Sequence, residues 1–280
     1  MVRLDKLRFG TSGIPLSTNP HDTINGINQV KNLGLDAMEL EFVRSINVSK
    51  EKAPLVKETA KNRDIILTCH SSYFINLNAQ DKAIWHASIN RIVQSAKITY
   101  LCNGYSVCFH PAYYMKVTKE EAYKKVKEAL SLILKELKKD SIKIWIRPET
   151  AGKISQFGDI NELINLSLEF ENVLPCIDWS HMHAASNGKY NTKEEFREVL
   201  NLIERKLGKN ALQNVHFHCQ GVDYGEKGEK EHLNLKDSDM NYHDLVKVWK
   251  EFKLKGIVVC ESPNIEKDAL LLKKTYTGAK

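Results

Sequence analysis

Short apolar runs recur along the chain, and each gap between them contains a segment with helical periodicity. We predict a β-strand in each run, at residues 7–10, 37–42, 65–70, 106–110, 142–147, 173–178, 215–219 and 256–261. Strands that alternate with helices at this spacing indicate βαβ units and a parallel sheet. Eight such units in succession predict a single (β/α)8 TIM barrel.

The segments between the runs place apolar residues at the spacing of amphipathic helices. The clearest covers residues 122–134, with Thr118 as its predicted N-cap and Glu121 three residues later. Residues 161–166 and 192–200 have the same periodicity. The polar segment 221–241 after the seventh strand is predicted to be a long loop. Such a loop at the C-terminal face of a barrel usually belongs to the site.

Composition narrows the class of protein without pointing to a partner. A chain of 280 residues with no linker fits one barrel domain over residues 1–280. The net charge of +6 permits a polyanionic partner but does not require one. Six scattered cysteines without a C-x-x-C pair favour a reducing compartment. The charged N-terminus and the absence of a long apolar run predict a cytoplasmic protein without membrane contact.

Six of the predicted strands end at or near a residue that can bind a metal ion. A single histidine or carboxylate at a strand end is usually a hydrogen-bonding residue or a helix N-cap. Six at equivalent positions favour a metal cluster, because buried carboxylates are costly unless cations neutralise them. Imidazoles and carboxylates without a thiolate suit zinc or manganese better than magnesium, and their number suggests two or three ions. The six are His70, His110, Glu149, Asp178, His216 and Glu261.

Several nearby residues are less certain ligands. His181 follows Asp178 by three residues, and His232 in the polar segment is preceded by Glu229 and Glu231. His218 shares a strand face with His216, and we expect His216 to be the ligand and His218 to support it.

Two more glutamates share a face of the second strand. For Glu39 and Glu41 we favour a charged barrel layer or a surface face over metal binding.

These motifs together resemble the endonuclease IV family of apurinic/apyrimidinic endonucleases, within the xylose-isomerase-like barrels. The segment that begins at His70, His-Ser-Ser-Tyr-Phe-Ile-Asn-Leu, is similar to that family's His-Asp-Ser-Tyr-Leu-Ile-Asn-Leu. Phe109-His-Pro resembles Phe-His-Pro-Gly, and Glu149-Thr-Ala-Gly resembles Glu-Asn-Thr-Ala-Gly. Asp178-Trp-Ser-His181 fits Asp-x-x-His, and the likeness covers nearly the whole chain.

The resemblance implies a trinuclear zinc site. His70 and His110 would hold one zinc ion, and Glu149 would bridge it to a second. The second would be completed by Asp178, His216 and Glu261. His181 and His232 would hold the third, where the family has Asp-Arg-His and this chain has Lys230 two residues before His232. We expect Glu229 to supply the missing carboxylate.

The implied reaction is metal-assisted hydrolysis of the phosphodiester 5′ to an abasic site in double-stranded DNA. It leaves a 3′-hydroxyl and a 5′-deoxyribose phosphate, with Glu149 and Glu261 positioning or deprotonating the water. Opening the DNA requires side chains that wedge into the base stack, and Tyr73, Phe74 and Arg44 are the candidates. We expect the protein to act as a monomer.

Two other functions fit parts of the pattern. A sugar isomerase or epimerase on the same barrel would need one divalent ion, for which Glu149, Asp178, His216 and Glu261 would suffice. A barrel that binds DNA or protein and has lost catalysis would explain the altered segment before His232. The number of bound ions distinguishes the two enzymes, and cleavage of abasic DNA distinguishes the nuclease from the binding protein.

Overall fold

The structure, a computed structural model, describes residues 4–278 and alternates strands with helices along most of this length. In chain order its strands are β1 (Leu7–Ser12), β2 (Ala37–Glu41), β3 (Ile66–His70), β4 (Ser106–Phe109), β5 (Ala112–Tyr113), β6 (Trp145–Pro148), β7 (Gln156–Phe157), β8 (Ile177–Asp178), β9 (Val215–His218), β10 (Gly221–Gly225), β11 (Gly228–Leu233) and β12 (Gly256–Cys260). Its α-helices are α1 (Thr23–Asn32), α2 (Ala53–Arg63), α3 (Lys82–Leu101), α4 (Lys119–Lys139), α5 (Ile160–Glu169), α6 (Trp179–Ala185), α7 (Lys193–Leu207), α8 (Lys209–Leu212), α9 (Tyr242–Glu251) and α10 (Glu266–Gly278).

Eight of the strands form one parallel sheet, in the order β6-β4-β3-β2-β1-β12-β9-β8. Its two edge strands, β6 and β8, are joined by parallel bridges from Ile146 to Val173 and from Glu149 to Cys176. The Cys176 amide also donates a 2.9 Å hydrogen bond to the Pro148 carbonyl. These bonds close the sheet into the predicted TIM barrel, so the C-terminal strand ends meet around one opening.

All eight predicted barrel strands are present, and the predicted helices also form. The sixth strand is shorter than predicted, because only Ile177–Asp178 forms a regular ladder. Pro175 lies within the rest of that run, and proline has no amide hydrogen to donate to a neighbouring strand. Thr118 and Thr192 cap their helices with complete capping boxes.

The polar segment after β9 corrects the prediction of an irregular loop. It forms an antiparallel hairpin of β10 and β11, followed by a short 3-10 helix at Leu235–Asp237. Gly228 allows the turn because its φ is +95°, a conformation that residues with a Cβ rarely adopt. The hairpin rises over the C-terminal face of the barrel, as the position of the segment suggested.

The N-terminal end of the barrel is sealed by a buried arginine. Arg147 donates hydrogen bonds to the Pro175 and Asn214 carbonyls, at 3.1 and 2.5 Å. Its guanidinium lies 5.4 Å from the ring of Tyr105.

The six cysteines are buried and free, in agreement with a reduced protein.

Within residues 4–278, no helix combines the length and apolar character needed to cross a membrane.

Candidate metal centre

Glu149 lies at the centre of a group of imidazoles at the C-terminal end of the barrel. Its Oε2 atom is 3.2 Å from His70 Nε2 and 3.8 Å from His110 Nε2. Its Oε1 atom is 3.0 Å from His218 Nδ1 and 3.4 Å from His181 Nδ1. The Glu149 side chain is fully buried. One carboxylate therefore faces four imidazoles, which is the arrangement expected of a bridging ligand.

A second group combines three carboxylates with one histidine. One ligand atom each from Glu149, Asp178, His218 and Glu261 lies within 4.8 Å of the other three. Asp178 also acts as the N-cap of α6, because one oxygen accepts a 2.8 Å hydrogen bond from the His181 amide. Its other oxygen accepts from Gln220 Nε2, also at 2.8 Å. The capping role of Asp178 fixes the carboxylate in place and is compatible with metal binding.

The third group joins α6 to the β10–β11 hairpin. Glu229 Oε1 is 3.1 Å from His232 Nε2, and Glu229 Oε2 is 3.5 Å from His181 Nε2. Glu231 is exposed on the other side of the hairpin. The structure thus brings Glu229, rather than Glu231, to the two histidines.

A β-bulge explains how Glu229 reaches this position. Asp223 pairs with Glu231 and Tyr224 pairs with Glu229, so Lys230 is an extra residue in β11. In a regular strand, residues two apart share a face, but one extra residue puts residues three apart on the same face. The bulge at Lys230 therefore aligns Glu229 with His232. The Lys230 side chain forms a salt bridge with the Asp223 carboxylate at 3.3 Å.

A glycine makes room for the Glu229 carboxylate. The Glu229 amide donates a 2.8 Å hydrogen bond to the Gly152 carbonyl. A Cβ atom at residue 152 would overlap Glu229 Oε2 and lie 3.0 Å from His181 Cδ2. The glycine of the Glu149-Thr-Ala-Gly motif is therefore required by the third group.

The two histidines of β9 lie at different depths in the barrel, and His218 is the one beside the carboxylates of the second group. His218 pairs in register with Asp178 and contacts the carboxylates of the second group. His216 is paired with Ile257, so it lies one layer deeper in the barrel interior. His216 Nε2 is 3.2 Å from Glu39 Oε2, and its Nδ1 is 3.0 Å from Ser106 Oγ. The register of β9 places His218 in the position that we had assigned to His216.

Glu39 and Glu41 lie on the inner face of β2, at different depths. Glu39 is completely buried between His216 and His218. Glu41 accepts a 3.0 Å hydrogen bond from Ser12 Oγ. Burial and the nearby charge of Glu39 raise the pKa of Glu41 to about 8. Glu39 thus forms part of a charged barrel layer, as its sequence position suggested.

The pKa values of the histidines indicate that the carboxylates of the centre need cations to balance their charge. Burial alone would lower the pKa of His70, but the hydrogen bond and charge of Glu149 outweigh it and raise this pKa to about 10. The pKa values of His181 and His218 are also raised, since nearby negative charges again outweigh burial. Burial holds the pKa of His110 at about 4. Without metal ions, protons on the imidazoles thus have to balance the carboxylates.

Buried polar atoms that lack hydrogen-bond partners also indicate that cations belong in this centre. Among the described residues, His110 Nδ1 has no hydrogen-bond partner, and Glu149 Oε2 has only its contacts to His70 and His110. Buried polar atoms are normally hydrogen-bonded, and those without partners mark places where a further group belongs. The three ligand groups are rich in imidazole and carboxylate, so the residues present fit zinc or manganese.

Gln220 was not predicted as a functional residue. It is completely buried, and its amide nitrogen contacts Asp178 and lies 3.5 Å from His232 Nε2. Its position two residues after a strand-end histidine is the one signal in the sequence that could have revealed it.

The predicted DNA-contacting residues lie on the rim of the same opening. Tyr73 and Phe74 have 59% and 62% of their surfaces exposed, which is unusual for aromatic residues. The Tyr73 ring centroid is 5.7 Å from that of His70, so this side chain borders the metal centre. The Arg91 guanidinium lies 5.9 Å from the Phe74 ring. Arg44 is exposed on the loop after β2.

Residues 27–275 match the family described as xylose isomerase-like TIM barrel. The chain belongs to this family. An uncharacterised protein of Methanocaldococcus jannaschii is 42% identical over 99% of both chains. A probable endonuclease 4 of Halothermothrix orenii is 24% identical and covers 74% of this chain and 77% of its own length.

Two solved barrels of different activity are about equally similar in fold. A D-tagatose 3-epimerase-like protein has a TM-score of 0.73 at 16% identity, covering 95% of this chain and 96% of its own. Endonuclease IV of Thermus thermophilus has a TM-score of 0.72 at 18% identity, covering 95% of this chain and 97% of its own. At these identities the likeness establishes the xylose isomerase-like fold alone, and the choice of reaction depends on the site.

Proposed function

We propose that this protein is a metal-dependent endonuclease that hydrolyses the phosphodiester on the 5′ side of an abasic site in double-stranded DNA. The observation that carries the proposal is the number of imidazoles around Glu149. A single-ion isomerase would need only the group of Glu149, Asp178, His218 and Glu261. His70, His110, His181 and His232, together with Glu229, supply the ligands of two further ions.

The exposure of Glu149 and Glu261 to solvent distinguishes the roles that we propose for them. Bound divalent ions would lower the pKa of a coordinated water and stabilise charge on the phosphate and the leaving oxygen. Glu149 is completely buried, so its role would be to hold ions rather than to meet a free water molecule. Glu261 keeps 11% of its side chain exposed, so it can accept a proton from a water that enters the opening. We therefore assign the proton transfer to Glu261 and the bridging role to Glu149.

The aromatic rim supports a nucleic-acid substrate. An exposed ring can stack on a base or occupy the space that a missing base leaves in the duplex. Tyr73 borders His70, so a ring inserted at that point would bring the adjacent phosphate towards the ligands. The mild basic excess of the chain adds attraction to the DNA backbone.

The test is cleavage of a duplex oligonucleotide that carries one tetrahydrofuran abasic analogue. We expect one cut on the 5′ side of the analogue, with a 3′-hydroxyl product that a polymerase can extend. His110→Asn should abolish the cut, whereas His86→Asn should not, because His86 is exposed on α3 away from the centre. A protein with a full complement of metal that leaves this duplex intact would refute the proposal.

A second candidate function is epimerisation of a ketose. The group of three carboxylates and His218 favours it, because one ion and two carboxylates can move a proton on a small polyol. Incubation with a panel of ketohexoses, followed by chromatography of the products, tests this activity. Epimer formation without cleavage of abasic DNA would select the second function.

A further inference from the structure

A second polar layer lies beneath the metal centre. Several upper ligands have a partner two positions earlier in the same strand, and residues two apart share a strand face. Barrel layers are usually filled with branched apolar side chains, but here this layer is polar. The lower partners of Glu41, His110, Asp178 and His218 are Glu39, Cys108, Cys176 and His216.

Four side chains of the barrel interior converge in this second layer. One ligand atom each from Cys108, Cys176, His216 and His218 lies within 4.8 Å of the other three. All four residues are completely buried. Cys108 Sγ is 3.8 Å from His218 Nε2, and the same nitrogen lies 3.0 Å from Glu39 Oε1. Two sulfur and two nitrogen atoms therefore surround one point inside the barrel.

His216 is oriented as metal-binding histidines are. Its Nδ1 lies 3.0 Å from Ser106 Oγ, and a proton donated from Nδ1 to this hydroxyl would leave Nε2 with a free lone pair. Among the described residues, His216 Nε2 has no hydrogen-bond partner, although it lies in a completely buried position. The lone pair faces Glu39 Oε2 at 3.2 Å, so two acceptors meet unless a cation or a proton lies between them.

The charges of the surrounding residues also suit a divalent ion. Two thiolates and Glu39 carry three negative charges, and an ion of charge +2 with the buried Arg147 would balance them. The Arg147 backbone is paired in register with Cys108, two residues before Glu149, and its side chain extends from there towards the N-terminal end of the barrel. Thiolates with imidazoles in a fourfold set select zinc among the common divalent ions.

We propose that Cys108, Cys176, His216 and His218 Nε2 form a thiolate–imidazole site for one zinc ion inside the barrel, which shares the His218 ring with the upper centre. The thiols release their two protons as the ion binds, and the His218 ring releases its remaining proton to solvent when both of its nitrogens act as ligands. The site holds the strands β4, β8 and β9 together beneath the upper centre. It does not depend on the reaction that the upper centre catalyses.

Ligation by Cys176 distinguishes the two layers, because Cys176 belongs to the inner group alone, whereas Cys108 Sγ also lies within 4.8 Å of ligand atoms of His70 and Glu149. The protein is refolded with cobalt(II) in place of zinc, since the inner site is closed to solvent. A near-ultraviolet thiolate-to-cobalt band that saturates at one ion per chain is expected. Cys108→Ser and Cys176→Ser should each remove at least half of this band. Cys102→Ser, a buried cysteine at the end of α3, should leave it unchanged.

X-ray absorption of the unmodified zinc protein gives a second test that needs no variant. Zinc–sulfur scattering at about 2.3 Å is expected beside nitrogen and oxygen at about 2.0–2.1 Å. Scattering from nitrogen and oxygen alone, or a cobalt band that persists in Cys176→Ser, would overturn the inner site. Failure to cut abasic DNA would leave the thiolate band intact, so the two proposals can fail separately.

Discussion

Removal of the Glu229 carboxylate tests the third ligand group most directly. The substitution Glu229→Ala leaves His181 and His232 as the only two protein ligands of that group. Two ligands are too few for tight zinc binding, since zinc sites normally have three or four. We therefore expect this variant to bind one metal ion fewer per chain than the unmodified protein.

The size of the effect follows from the burial of the carboxylate. Removing one partner of a buried charge pair costs about 3–5 kcal/mol. Glu229 keeps 19% of its side chain exposed, so the lower end of that range applies. At ~1.4 kcal/mol for each factor of ten, about 3 kcal/mol corresponds to roughly 10²-fold weaker metal binding in the third group.

The assay is metal analysis after parallel dialysis against a weak chelator. Glu231→Ala is the matched control, because Glu231 is exposed and two residues away in the same strand. Deletion of Lys230 provides a stricter test of the bulge. It places Glu229 two residues before His232 in a regular ladder, and we expect this variant to keep its metal. Equal metal content in Glu229→Ala and Glu231→Ala would refute the assignment of the ligand.

Three further predictions follow from the centre. Glu261→Gln removes a preorganised charge and should slow abasic-site cleavage by at least ~10³-fold with duplex affinity retained. Steady-state kinetics measure the rate, and a gel shift measures the affinity. A near-normal rate would mean that Glu261 is only a structural residue. Gly152→Ala should lower metal content, because its Cβ would displace the Glu229 carboxylate, but should leave the thermal melt of the metal-free protein unchanged. Unchanged metal content would contradict this. The metal-free protein should melt at progressively lower temperature between pH 6.5 and about 10, because the folded pKa of His70 is raised from 6.5 to about 10. That stabilisation is complete below pH 6.5 and is lost as the pH rises through about 10, so a flat melting curve over this range would count against it.

The strands could be predicted because a buried parallel strand has a nearly continuous apolar run. The convergence of the ligands could also be predicted, since C-terminal strand ends meet around one opening. The sixth strand was predicted too long, because the apolar run hides the effect of Pro175 on pairing. The local pattern of apolar residues was therefore sufficient to predict the strands and helices and the end of the barrel at which the site lies.

The choice between His216 and His218 required information that no local pattern contains. Both residues share one face of β9, so alternation alone cannot rank their depth. Their depth is set by the pairing of β9 with β8, where His218 lies opposite Asp178. The alignment of Glu229 with His232 similarly depends on how β10 pairs with β11. Both features are properties of strand register, which is fixed only when distant parts of the chain meet.

The two polar layers also connect stability to metal binding. A barrel that places Glu39 and Glu149 in its interior forgoes the apolar packing that usually fills these positions. Buried carboxylates are tolerated only when cations or hydrogen bonds compensate their charge. Ions that bind the folded state alone stabilise it by about 4 kcal/mol when their concentration is a thousand times Kd. The proposed ions would therefore hold the strand ends together, and they would compensate the upper centre for the apolar packing that it lacks.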